Sequence, residues 1–193
     1  MCGRYYIPEG NEFSDINSLL DFVNKAYKGS STLSKMKTGE VFPADIAPII
    51  TKDSPMLMKW GFEGFNGKGL IINARLETAA EKPMFRKEFS AQRCLIPAGN
   101  YFEWKKDGAK KEKYLIRQSG ALYMAGLWRL PQDKDQPLFV ILTRPAIPEL
   151  GFIHDRMPVI LPNNAREDWL SGRLGSHELR ELENGQFFFE SVG

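Results

Sequence analysis

The chain opens Met1-Cys2-Gly3-Arg4-Tyr5, and the small second residue makes removal of Met1 the expected processing. Cysteine at a free N-terminus carries an α-amine and a thiol on neighbouring carbons, a 1,2-aminothiol. Such a group condenses with an aldehyde in two steps. The amine forms a Schiff base, and sulfur then closes a five-membered thiazolidine, a closure unavailable to an internal cysteine or a lysine. An α-amine titrates near pKa ~7.7–8.0, against ~10.4 for lysine, so a usable neutral fraction exists at neutral pH without special tuning.

Three further blocks accompany this opening. They are Asn73-Ala74-Arg75-Leu76-Glu77-Thr78 followed by Pro83 and Phe85; Arg93-Cys94-Leu95-Ile96-Pro97-Ala98-Gly99 leading to Phe102-Glu103-Trp104; and Ile153-His154-Asp155-Arg156-Met157-Pro158, with Trp60-Gly61 ahead of the first. In this order, and spread from position 2 to position 161, they resemble the SOS-response-associated peptidase (SRAP) family. The resemblance implies a protein that senses abasic sites in single-stranded DNA and crosslinks to them through Cys2, shielding the lesion. The same Schiff base would acidify the proton next to C1′ and open a weak lyase route by β-elimination, and removal of residue 1 would be a self-processing peptidase step. It also implies an α+β fold, with a strongly bent, barrel-like, mainly antiparallel sheet, a few flanking helices and a groove that holds the N-terminus.

An abasic deoxyribose is mostly a closed hemiacetal, so capture needs a group that opens the ring and moves protons. Glu103, between Phe102 and Trp104, is the candidate, because desolvation among aromatics suits a carboxyl to general acid–base work. His154 resembles the family's active-site histidine, and an imidazole protonates a sugar oxygen or hydrogen-bonds a phosphate near neutrality. Asn73 is expected to orient the Cys2 amine or the sugar oxygens through a neutral amide. Arg4, Arg75 and Arg156 flank these residues and form the expected phosphate clamp, with Thr143, eleven residues before His154, adding a hydroxyl. Base stacking would fall to Trp60 and to Phe65, which stands where relatives commonly place a tryptophan; Glu63 puts a negative charge beside it. Pro43 is expected, by resemblance, to cap the base next to the lesion.

Bulk properties narrow the rest. A formal charge of +2 over 193 residues does not by itself mark a nucleic-acid binder, so any DNA site must be a local patch. Two cysteines, Cys2 and Cys94, are expected to stay reduced. Two histidines and the lack of a Cys-x-x-Cys pair leave no zinc spacing, and the chemistry calls for no metal or organic cofactor. The absence of any apolar run of ~20 residues points away from a membrane and to the cytoplasm, and the resemblance implies single-stranded DNA containing abasic sites as the partner, met by a monomer. Two other classes stay open: a cysteine-type hydrolase with Cys2 as nucleophile and His154 as base, and a noncatalytic single-stranded DNA-binding module in which Cys2 is idle.

The elements that must position these groups read as one domain over 1–193. A helix is expected over 14–28, with Ser14 as N-cap, Ile16, Leu19, Leu20, Val23 and Tyr27 on one face and Gly29 closing it. Short strands are expected near 46–51, 55–62, 69–73, 93–97, 113–118, 121–129, 137–143 and 157–161. Brief helices are expected near 83–91 and 163–171, the second opened by Asn163 or Asn164 and burying Trp169 and Leu170. Lys105, Lys106, Lys110, Lys111 and Lys113 read as a solvated hairpin turn with a smaller claim to DNA steering.

Overall fold

The computed structural model describes residues 2–10, 12–64, 67–108, 110–132 and 134–193. In chain order the elements are β1 (Arg4–Ile7), α1 (Ser14–Ala26), β2 (Gly39–Val41), β3 (Ile46–Thr51), β4 (Pro55–Trp60), β5 (Phe62–Glu63), β6 (Leu70–Ile71) and β7 (Asn73–Arg75). They continue with α2 (Leu76–Ala79), α3 (Arg86–Ala91), β8 (Arg93–Ala98), β9 (Asn100–Asp107), β10 (Lys110–Arg117), β11 (Leu122–Arg129) and β12 (Leu138–Pro145). The last are β13 (Arg156–Pro158), α4 (Asn163–Leu170), α5 (Ser176–Glu181) and β14 (Phe188–Ser191).

The fold is α+β, and its centre is a closed barrel. Strands run β11-β8-β3-β4-β12, and β12 pairs back onto β11, closing the ring. Every pairing in the ring is antiparallel except β4 with β12. Beyond the ring, β12 carries β7 in parallel and β13 antiparallel, so Thr143 lies between Arg75 and Pro158. A second sheet has the order β14-β10-β9-β1-β2. The two sheets share a chain crossing at Gly99, between β8 and β9, whose N–H donates to the Tyr6 carbonyl at 2.8 Å. A Cβ on Gly99 would lie 3.3 Å from both the Phe13 ring and Pro8, which accounts for glycine where the strand bends from ring to sheet.

Strands β8 and β12 are apolar on both faces because both are covered. Alternation sends Cys94, Ile96, Phe139 and Ile141 into one cluster with Cys2, Tyr5, Trp60 and Tyr101. Leu95, Val140 and Leu142 go to a second cluster with Leu76, Phe89, Trp169 and Leu179 from the helices. The face of α1 falls as the periodicity demands, with Ile16, Leu19 and Val23 buried. Phe13, not Ser14, occupies its N-cap position, and Ser14 is the first helical residue. Helix α4 likewise starts at Asn163 behind Pro162, whose fixed φ of −65° takes the N-cap place without a side-chain bond. The lysine-rich stretch is a hairpin, but its lysines sit on the paired ends of β9 and β10 rather than in the turn, as in Lys106↔Lys111 and Lys113↔Trp104.

The tightest place in the barrel is Gly126, opposite Cys94 and Ile141. An added Cβ would lie 2.8 Å from the Val140 carbonyl oxygen and 3.0 Å from Cys94 Sγ. Gly126→Ala is therefore expected to cost about 1–3 kcal/mol through overpacking, read as a lower urea midpoint at unchanged slope.

Candidate active site

Strand β1 lies between β9 and β2, with Tyr5 opposite both Tyr101 and Val41. This pairing draws the start of the chain inward, and Cys2 is 0% exposed. Asn73, at the start of β7, donates its Nδ2–H to the Cys2 carbonyl at 2.9 Å. The contact expected between Asn73 and Cys2 falls on the carbonyl and not on the amine, and Oδ1 of Asn73 is buried without a hydrogen-bond partner among the described residues. The Cys2 thiol donates to the Arg4 carbonyl at 3.7 Å. Burial pushes this thiol well above its ordinary range, and the nearby Glu103 carboxylate adds to the effect. Glu103 is 4% exposed, and its Oε1 accepts the Trp104 N–H at 3.2 Å. The expected removal of Met1 concerns a residue outside those described.

A second group borders the first. Arg156, on β13, is 10% exposed and forms a two-pronged ion pair with Glu77: Nη1 meets Oε1, and Nη2 meets Oε2 at 2.9 Å. Nη2 also donates to the Thr143 carbonyl at 2.7 Å and to its hydroxyl at 3.2 Å. The Thr143 hydroxyl, fully buried, lies 3.4 Å from the Ala74 carbonyl it donates to. A phosphate could reach Arg156 only by exchanging with Glu77, and Thr143 only after the site opens. His154 Nδ1 accepts the Arg156 N–H at 3.0 Å and lies 2.7 Å from Asp155 Oδ1. One nitrogen cannot serve both contacts at once, since the first needs a bare lone pair and the second a proton.

Arg4 points outward beside the start of β2. Its Nη1 pairs with Glu40 at 3.1 Å, and its guanidinium lies over the rings of Phe42 at 4.1 Å and Trp104 at 5.0 Å. Lys113 shares Glu40 at 2.7 Å and covers Phe102 at 4.0 Å. Those two cations hold the Glu40 carboxyl below its usual range, Lys113 through the stronger hydrogen bond. Phe42 is 42% exposed and adjoins half-buried Pro43 in the loop before β3. Arg75 is exposed and has no hydrogen-bond or ion-pair partner among the described residues.

Trp60 corrects the expectation of a DNA contact. It is fully buried, stacks on Phe139 at 6.1 Å, meets Tyr5 edge-on at 5.2 Å and donates its indole N–H to the Ile72 carbonyl at 3.0 Å. No base can reach its faces in this state. Phe65 lies outside the described residues. Among the described residues no three His, Cys, Asp or Glu side chains gather as metal ligands.

Several site residues were not found by sequence reasoning. Glu77 lies in the Asn73–Thr78 block, but its partner Arg156 is distant in sequence, so no local spacing could pair them. Phe42 and Glu40 carry no motif. Tyr5 belongs to the opening block without a role assigned to it, Tyr101 stands beside the quoted Phe102, and period-two alternation from Glu103 was the available signal for Tyr101.

Comparison with known proteins shows the family of the chain. The family model for SOS response associated peptidase (SRAP) matches residues 1–187. Abasic site processing protein YoqW of Bacillus subtilis is 30% identical over 199 residues, covering 89% of this chain and 80% of that one. Abasic site processing protein YedK of Escherichia coli is 34% identical over 128 residues, covering 64% and 58%. A crystal structure of a protein from Bacteroides thetaiotaomicron superposes with a TM-score of 0.76 at 24% identity, over 100% of this chain and 92% of that one, and speaks for the fold alone. A closed barrel with a buried cysteine at the start of the chain defines the class, and the chain belongs to the SRAP family.

The Arg156–Glu77 pair gives a pH signature. The hydrogen bond from Arg156 holds the Glu77 carboxyl below its ordinary value, so the pair stabilises the folded state above the unfolded carboxylate pKa of ~4.3 and loses that contribution as pH falls through the lower folded value. Glu77→Gln is expected to lower the urea midpoint at pH ~7, with the difference from wild type shrinking below pH ~4. A difference that stays constant across this range would show that the ion pair does not carry it.

Proposed function

We propose that this protein is an abasic-site processing protein that captures the sugar aldehyde of abasic sites in single-stranded DNA. After Met1 is removed, the Cys2 amine adds to C1′ and water leaves, giving an imine. Sulfur then adds to the same carbon, and the thiol proton ends on the ring nitrogen, closing the thiazolidine. Glu103 opens the hemiacetal and moves protons, His154 protonates a sugar oxygen or hydrogen-bonds a phosphate, and Asn73 fixes the Cys2 backbone. The observation that carries this reading is the enclosure of Cys2, which is held by Asn73 and lies close enough to Glu103 to feel its charge. Family membership supports it, as do relatives named for abasic-site processing.

The strand follows the phosphate-binding side. Arg75 is the cation ready for it, Arg4 and Phe42 form an edge on which a base stacks beside Pro43, and Arg156 joins by releasing Glu77. The imine also permits weak β-elimination, and loss of Met1 is the one peptidase step the scheme requires. The chain acts as one domain and one monomer in the cytoplasm; no helix among the described residues is long and apolar enough to cross a membrane.

Intact mass spectrometry after mixing with an abasic oligonucleotide tests the capture. The expected adduct is protein lacking Met1 plus the oligonucleotide, less one water. Cys2→Ala should form no denaturation-resistant adduct yet still bind an abasic analogue that has no aldehyde, while Cys94→Ala should crosslink normally. Full crosslinking by protein that retains Met1 would sink the aminothiol mechanism.

Binding carries its own test. Arg75→Ala is expected to weaken all single-stranded sequences alike and to reduce the slope of log K against log salt by about 0.7, one phosphate's share on single strands. Arg156→Ala should move the slope less, because Glu77 already neutralises that charge. An unchanged slope in Arg75→Ala would remove it from the phosphate path.

A further inference from the structure

Three of the buried polar atoms without a partner among the described residues are the hydroxyls of Tyr5 and Tyr101, which share a core cluster with Cys2, and Oδ1 of Asn73, whose amide also holds the Cys2 carbonyl. The tyrosines face each other across β1 and β9, so their side chains leave the same face of the sheet with Cβ atoms ~4.5–5.5 Å apart. Glu103, two residues beyond Tyr101, leaves by that face as well. Both tyrosines are at most 1% exposed and belong to the cluster that contains Cys2. Phenylalanine would fill the same volume without burying an unsatisfied hydroxyl, and an unsatisfied hydroxyl in the interior costs stability. Hydroxyls kept at such a cost are placed for a partner that the resting site does not present.

The chemistry of ring closure supplies that partner. Sulfur must attack as a thiolate, in a pocket that disfavours one: the Cys2 thiol is fully buried and near a carboxylate, and its described hydrogen bond runs to the Arg4 carbonyl, which has no proton to give to an anion. Burial holds both phenols in the protonated form, with the charge of Cys2 as the next cause for each, so each has a proton to donate throughout the working range. Glu103 of β9 and the Arg4 carbonyl of β1 bear on the thiol, and Cys2 in turn bears on Tyr5 of β1 and Tyr101 of β9. Cys94 of β8 and Asp45 of the loop before β3 bear in turn on Tyr5.

We propose that Tyr5 and Tyr101 are catalytic residues whose hydroxyls donate hydrogen bonds to the Cys2 sulfur as it loses its proton and closes on the imine carbon. The inference rests on the capture chemistry proposed above. In the closing step the thiol proton passes by way of Glu103, the S–C1′ bond forms, the imine π pair moves to nitrogen, and nitrogen takes up the proton. The two phenols keep their own protons throughout. They act on the second step of capture and leave the first, amine attack, untouched.

Tyr5→Phe, Tyr101→Phe and the double variant test this in processed protein carrying Cys94→Ala, so that Cys2 is the one thiol. Against abasic single-stranded DNA, formation of the denaturation-resistant adduct is expected to slow by about tenfold or more in the double variant, while imine trapped by borohydride forms at the wild-type rate. Without DNA, the pH profile of Cys2 alkylation by iodoacetamide should move to higher pH, and thermal midpoints should hold or rise. Wild-type closure rates with an unmoved alkylation profile would overturn the inference, as would a loss of adduct matched by a loss of fold. Should wild-type protein itself form no adduct, the capture reading fails, and the alkylation profile still decides whether the tyrosines serve the sulfur.

Discussion

The site depends on β1 being an inner strand. A chain terminus ordinarily frays, because few contacts repay the entropy of ordering it. Here the first strand is hydrogen-bonded along both edges, to β9 and to β2, and its leading residues cannot detach without opening the sheet. Asn73 adds a hold on the Cys2 carbonyl from the other side, from a strand that belongs to the barrel system. Cys2 is thus fixed between two sheets, and the conformational freedom of this residue is lost during folding.

That placement has an electrostatic counterpart. The positive groups around the opening are largely engaged: Arg156 with Glu77, and Arg4 and Lys113 with Glu40. Pairing of this kind stabilises modestly where it is exposed, but it fixes guanidinium planes in position, and Arg4 is held further by the rings of Phe42 and Trp104. Arg75 stands outside this network. The resting surface therefore presents few unpaired cations at the site, in keeping with a chain whose overall charge is only +2.

The barrel was legible wherever apolar runs were bounded by turn residues, as at Ile46–Thr51, Arg93–Ala98 and Leu122–Arg129. It was not legible in β1 or the first half of β9, where polar residues stand on both faces of the sheet: Arg4, Tyr6 and Asn100 on one, and Glu103 with Tyr5 and Tyr101 on the other. The candidate site residues came from four blocks, since each carries side chains that a purely structural strand does not need. Their partners were not. Glu77 reaches Arg156, and Glu40 reaches Lys113, across dozens of residues, and such pairs are set by strand order. Trp60 shows the converse error: an aromatic inside a functional motif can be there to carry the floor of the site and not its surface.

The sequence separations within the site have a consequence in time. Cys2 lies far in sequence from Asn73, Tyr101, Glu103 and His154, and the barrel closes only when β12 pairs with β11. Contacts spanning so much chain form late. A partly folded chain therefore holds Cys2 apart from these side chains, and the group is assembled at the moment the barrel shuts. Any chemistry that needs the assembled group is thereby withheld until folding is complete, as by a safety catch.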